Sequence, residues 1–85
     1  MNRAVNKVLV RNITYLRESN NLTQEKMSVL LEITRSRWSA WEEYRCNPPI
    51  TCLLVLSKLF VVSVDDLITS DLSRVPVRDP FYFNL

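Results

Sequence analysis

The stretch LTQEKMSVLLEITRSRWSAWEEYR, residues 22–45, contains two helix starts within a dozen residues of each other. Thr23 precedes a run in which Met27, Leu30 and Leu31 recur at helical spacing, and its hydroxyl is placed to accept from the first free backbone amides. This predicts a helix over 24–31. The segment EIT then interrupts, Thr34 offers a second N-cap, and a further helix is predicted over 35–44. Two helices joined by a three- or four-residue turn form the layout that presents the second helix to a partner.

That second helix has two unlike faces. At about 100° per residue, Trp38 and Trp41 fall on one stripe, while Arg35, Ser36, Ser39 and Glu43 fall on the other, with Ala40 beside them and Arg37 near the seam. Tryptophan is costly to leave in water and arginine costly to bury unpaired, so the tryptophans belong to a core and the arginines outside it. Periodicity alone is met equally by a solvated face over a packed one. What adds a partner is the position of Arg35, Ser36 and Arg37 at the exposed N-terminal end of a helix that follows a tight turn.

Outward from this centre the chain continues to read as helices. Val5, Leu9, Ile13 and Leu16 form an apolar stripe, and Arg3, Lys7 and Arg11 a separate charged line, predicting a helix over 5–19. The sequence has no glycine. Asn20-Asn21 is the expected stop, because asparagine tolerates the left-handed conformation. Asn47-Pro48-Pro49 ends the third helix, and a proline in the first turn suits a fourth over 49–60, with Cys52, Leu53, Leu56, Leu59 and Phe60 facing inward. Ser63 followed by Asp66 resembles a capping box and opens a fifth helix over 64–70. Residues 73–85, with Pro76, Pro80 and an aromatic cluster, read as an extended tail. Five short helices with tight connections predict an all-α bundle over 1–72.

Eighty-five residues suffice for one core and leave no room for a typical substrate cleft. The net charge of +2 is unevenly spread: residues 1–60 carry +4 and residues 61–85 carry −2. A basic body suits an anionic partner on one side. Cys46 and Cys52 stand without any histidine, so no metal set is expected and both are read as packing residues. Neither a signal segment nor a membrane-length apolar run is found, which predicts a cytoplasmic protein with reduced thiols. The adjacent carboxylates Glu42-Glu43 and Asp65-Asp66 point in different directions along a helix. Catalysis is therefore not expected, and no cofactor is implied.

YLRESNNLTQEKMSVLLEITRSRWSAWE, followed by PP opening a helix and then VVSVDDLI, resembles the Cro and phage-repressor type of helix-turn-helix regulator, also called the xenobiotic-response-element type. The resemblance covers about residues 13–72. It implies a five-helix, lambda-repressor-like DNA-binding domain in which the second helix crosses the DNA backbone and the third enters the major groove. By position it assigns base contacts to Arg35, Ser36, Ser39 and Ala40. Arginine can grip guanine O6 and N7, serine reads either class weakly, and alanine touches a thymine methyl. Gln24 matches a glutamine that contacts a phosphate and braces the third helix.

Arg37, Arg45 and Asn47 are expected to reach phosphates, although Arg45 reads equally well as a solvated surface arginine. Arg17 and Glu42 match an internal ion pair. Two departures stand out: Glu32 replaces a usual turn glycine, and Glu43-Tyr44 replaces a usual Asn-Gly at the close of the third helix. Trp38 also replaces an aliphatic packing residue. The resemblance further implies a homodimer on a palindromic operator, with Phe60, Val62, Val64 and Leu67 at the dimer interface and repression by operator occupancy. The alternative from another class is a protein-interaction module, such as the antitoxin of a toxin–antitoxin pair.

Overall fold

The computed structural model of the protein describes residues 4–74, and among them the chain forms five helices and no strand. These are α1 (Lys7–Ser19), α2 (Gln24–Leu31), α3 (Arg35–Glu42), α4 (Ile50–Phe60) and α5 (Val64–Thr69). The predicted tail lies outside the described residues apart from its first two positions. The all-α bundle is as expected, with α2, a three-residue turn and α3 forming the helix-turn-helix.

Side-chain caps start four of the helices. Asn6, Thr23, Thr34 and Ser63 each accept from the backbone N–H three residues on, which satisfies one otherwise orphaned donor per helix. The first helix therefore begins two residues later than its apolar stripe suggests, because Asn6 caps it and leaves Val5 outside. Only half of the anticipated capping box forms at α5: Ser63 accepts from Asp66, but the Asp66 carboxylate turns to accept from Ser70 Oγ at 3.0 Å. Pro49 is the N-cap of α4 and not its first residue.

The helix ends show how a glycine-free chain reverses. Asn21, Glu32, Tyr44 and Val61 all hold positive φ, between 54° and 62°. In each case the following N–H reaches back across the end of the helix: Leu22 to Arg17, Ile33 to Ser28, Arg45 to Ala40 and Val62 to Ser57, at 2.9–3.0 Å. This is the six-to-one bond of the Schellman motif, repeated after α1, α2, α3 and α4. The third helix consequently closes at Glu42, two residues short of the predicted Tyr44, because Tyr44 supplies the left-handed residue of its cap.

The core collects one stripe from every helix. Leu9, Ile13 and Leu16 of α1 meet Met27 of α2, Trp38 and Trp41 of α3, Cys52, Leu53 and Leu56 of α4, and Leu67 of α5. The two indole rings meet edge-to-face with centroids 5.5 Å apart, the arrangement their quadrupoles favour. Leu30 and Leu59, assigned to the core on spacing, lie 37% and 40% exposed, at the edge of their apolar stripes. Asn12 is buried among these side chains and fully bonded: it donates to the carbonyls of Leu67 and Ser70 and accepts from Leu72 N–H, tying α1 to the end of α5.

A β-branched residue in the left-handed region costs about 1–2 kcal/mol, and Val61 carries this cost with its side chain 80% exposed. Val61→Gly is expected to raise stability by about 1 kcal/mol, read as a higher urea midpoint at unchanged slope. A lower midpoint would show that the Val61 side chain contributes more than its backbone conformation costs.

Candidate nucleic-acid interface

The exposed end of α3 follows from how its other side is held. Trp38 and Trp41 are fully buried, so the helix can turn only its opposite stripe outward. Arg35 and Ser36 are exposed, and Ser39 and Ala40 half-exposed, on that outward side. Among the described residues, no hydrogen bond or ion pair engages the Arg35 or Ser36 side chain. Arg37 lies over the Trp41 ring, 5.9 Å from its centroid, so its guanidinium is held at the seam between core and solvent.

Behind this surface, Glu42 gathers three donors from three helices. Arg17 of α1 donates through Nε at 2.7 Å and through a second nitrogen at 3.1 Å, a two-pronged pairing that fixes the guanidinium plane. Gln24 of α2 donates at 3.0 Å, and Trp38 of α3 donates its indole N–H to the same carboxylate. Arg17 also donates to the Leu22 carbonyl at 2.8 Å, so both charges are satisfied. Burial by itself would push the Glu42 carboxyl up, but the bonds from Arg17, Gln24 and Trp38 outweigh it and hold the group below its ordinary range. The bond to Glu42 raises Arg17 in turn, against its own burial.

Gln24 thus braces α3 through Glu42. Its neighbourhood is a cleft of about 430 Å³ lined by Arg17, Thr23, Gln24 and Arg35, at the N-terminus of α2. A helix N-terminus with an arginine beside the same hollow suits an anionic oxygen. Glu25 also lines the hollow, and its charge limits the positive potential there.

Two of the expected site residues are bonded or buried within their own chain. Asn47 is expected at a phosphate, yet its side-chain oxygen accepts from Asn6 N–H at 2.8 Å and its amide donates to the Ala4 carbonyl at 3.1 Å. These two bonds latch the N-terminal segment to the loop before α4 and leave the second amide N–H of the exposed side chain for a phosphate contact. Leu67 is expected at a dimer interface, yet it is wholly buried within its own chain and has no surface to offer. Phe60, Val62 and Val64 are half-buried against the same core. Apolar side chains face solvent at Val29 and Leu30 of α2, at Tyr44 after α3, and in the largest group on the outer side of α4: Ile50, Leu54, Val55 and Leu59, with Val61 just beyond it.

Arg45 is also engaged, pairing with Glu43 at 3.2 Å. The same Glu43 carboxylate accepts from Ser39 Oγ at 2.7 Å. This acidic contact on the outward face was missed as a site, although the four-residue spacing of Ser39 and Glu43 on one helix face was available to signal it. Among the described residues, no cluster of three potential metal ligands occurs and no helix is long and apolar enough to cross a membrane.

Comparison with known proteins gives one informative likeness. The chain is 36% identical over 56 residues to the HTH-type transcriptional activator BcrR of Enterococcus faecalis, a match that covers 66% of this chain and 28% of that protein. The chain therefore spans well under a third of the relative's length. No family model matches the chain, and no solved structure matches it.

The pairing at Glu42 sets an acid limit to stability. Its folded pKa lies below the ordinary value of 4.5, so its contribution is complete above that value and is lost as pH falls through the lower folded one. Urea midpoints followed by tryptophan fluorescence are expected to decline below about pH 4.5, and Glu42→Gln to flatten part of that decline. At neutral pH the same substitution is expected to cost about 2 kcal/mol, because it leaves the part-buried Arg17 with only the 3.8 Å contact to Glu18 as counter-charge. An unchanged midpoint would remove Glu42 from its bracing role.

Proposed function

We propose that the protein is a sequence-specific double-stranded DNA-binding transcriptional regulator that reads the major groove with α3. The observation that carries this reading is the split of α3. Two buried tryptophans anchor one side, and Arg35, Ser36, Ser39 and Ala40 stand on the other beside an anion-suited hollow at the start of α2. In this arrangement α2 crosses the phosphate backbone and α3 lies in the groove. Arg35 reads a guanine edge, and Ser36, Ser39 and Ala40 line the adjoining base pairs. Gln24, Arg37 and Arg45 lie near phosphates and set register. The likeness to a protein named as a helix-turn-helix transcriptional activator supports the same class of function.

Groove reading at one-turn spacing calls for two copies related by a two-fold axis on a palindromic site. The outer face of α4 suits that contact, since Ile50, Leu54, Val55, Leu59 and Val61 are exposed there and Lys58 is its one charged side chain. Occupying an operator represses a promoter that overlaps it. The relative's name describes an activator, and the position of the operator beside the promoter decides between the two outcomes. The apolar face of α4 also favours a second reading, in which the chain docks a different protein as an antitoxin does.

Selection of bound duplexes from a random library is expected to enrich a palindrome, and Arg35→Ala to lose discrimination at one base pair of each half-site by roughly 1–3 kcal/mol. Equal weakening on all sequences would make Arg35 a phosphate contact, and no enriched motif would overturn the regulator reading. For the dimer, Leu54→Glu is expected to shift sedimentation at micromolar concentration from dimer to monomer and to weaken binding to the palindrome. A wild-type chain that sediments as a monomer both free and on DNA would remove the two-fold arrangement.

A further inference from the structure

Glu43 sits where the fold gains little from a carboxylate. It is the C-cap of α3, where the helix dipole already concentrates negative charge, and its side chain is 55% exposed. Glu42 beside it turns inward and is saturated, whereas Glu43 turns outward onto the face that carries Ser39. On the reading of α3 as a groove helix, Glu43 also faces a strongly anionic partner. Both the helix end and the DNA therefore oppose this charge, and within the chain only the exposed contacts from Arg45 and Ser39 offset it.

The neighbours of Glu43 define that contact. Ser39 Oγ donates to one carboxylate oxygen at 2.7 Å and Arg45 Nε lies 3.2 Å from the other, which holds the carboxylate plane on the outward side of the helix. A carboxylate accepts and cannot donate, so in the major groove it seeks an exposed amino group and is repelled by N7 and O6. Cytosine N4 offers a donor on a base with no major-groove acceptor of its own, whereas adenine places N7 beside its amino group. Guanine and thymine present no major-groove donor.

We propose that Glu43 is a specificity residue that reads a cytosine amino group in each half-site, with Ser39 orienting its carboxylate and Arg45 shielding it from the neighbouring phosphate. The inference rests on the groove-reading role of α3. Glu43 acts partly by exclusion: a site without the cytosine sets the carboxylate against acceptors and phosphates with no base donor opposite it, which lowers affinity for unrelated DNA.

The test is selection from a random duplex library, followed by competition binding with the full chain, its Glu43→Gln variant and its Ser39→Ala variant. The wild type is expected to enrich a motif with cytosine at one defined position. Glu43→Gln is expected to lose that preference by on the order of tenfold while keeping the rest of the motif, and Ser39→Ala to weaken the same preference together with any change at the base pair that Ser39 itself lines. Glu43→Gln is further expected to bind unrelated duplex more tightly than wild type, since it removes a charge that repels the backbone. A variant motif that retains the cytosine overturns the inference and leaves the groove reading intact, as does uniform weakening at every position. A wild type that enriches no motif overturns both.

Discussion

The pairing of Glu42 with Arg17 is the constraint on which the rest of the arrangement depends. One carboxylate accepts from α1, α2 and α3, and it does so from the end of the helix whose outward face is the candidate interface. A buried ion pair gives limited net stability, because desolvating two charges offsets most of their attraction. What it gives here is position. Four N–H groups from Arg17, Gln24 and Trp38 meet the carboxylate from fixed directions, so α3 cannot rotate or slide without leaving a part-buried charge unpaired.

Trp38 couples this polar fastening to the apolar core. Its ring is buried edge-to-face with Trp41, while its indole N–H donates to Glu42. A bulky aromatic in a small domain is thus satisfied on its apolar surface and at its single polar atom, and it registers α3 against both kinds of contact. With the inner side fixed so closely, Arg35, Ser36 and Ser39 are carried outward on a rigid helix. Rigidity of this kind keeps a recognition surface from losing entropy when it meets a partner.

The surface around α3 is more internally bonded than a simple basic patch. Arg37 is drawn over Trp41, Arg45 is paired with Glu43, and Asn47 holds the segment before α1. Arg35 is left as the outward guanidinium that no described residue engages. A modest net charge concentrated in this way suits recognition of a particular site better than general attraction to a polyanion. The outer face of α4 is the other surface that the core leaves open, and it is apolar where the α3 face is charged.

Helix number, the starts of α2, α3 and α5 and the inward turn of both tryptophans were readable from the chain alone. Each depends on local physics: a Thr or Ser hydroxyl reaches an amide three residues on, and an apolar stripe recurs with the helical period whatever lies opposite. Helix ends were less readable. Tyr44 and Val61 are poor left-handed residues by preference, and the backbone bonds across the helix ends, from Arg45 to Ala40 and from Val62 to Ser57, accompany that conformation in the folded chain. The inward and outward choices at Leu59, Leu67 and Leu30 likewise required the neighbouring helices, since spacing gives a stripe but not its edges. Asn47 and Glu43 show the same division at the site. A polar side chain's role depends on which partner is nearest in space, and for Asn47 that partner lies 41 residues away, where only the folded chain brings it within bonding distance.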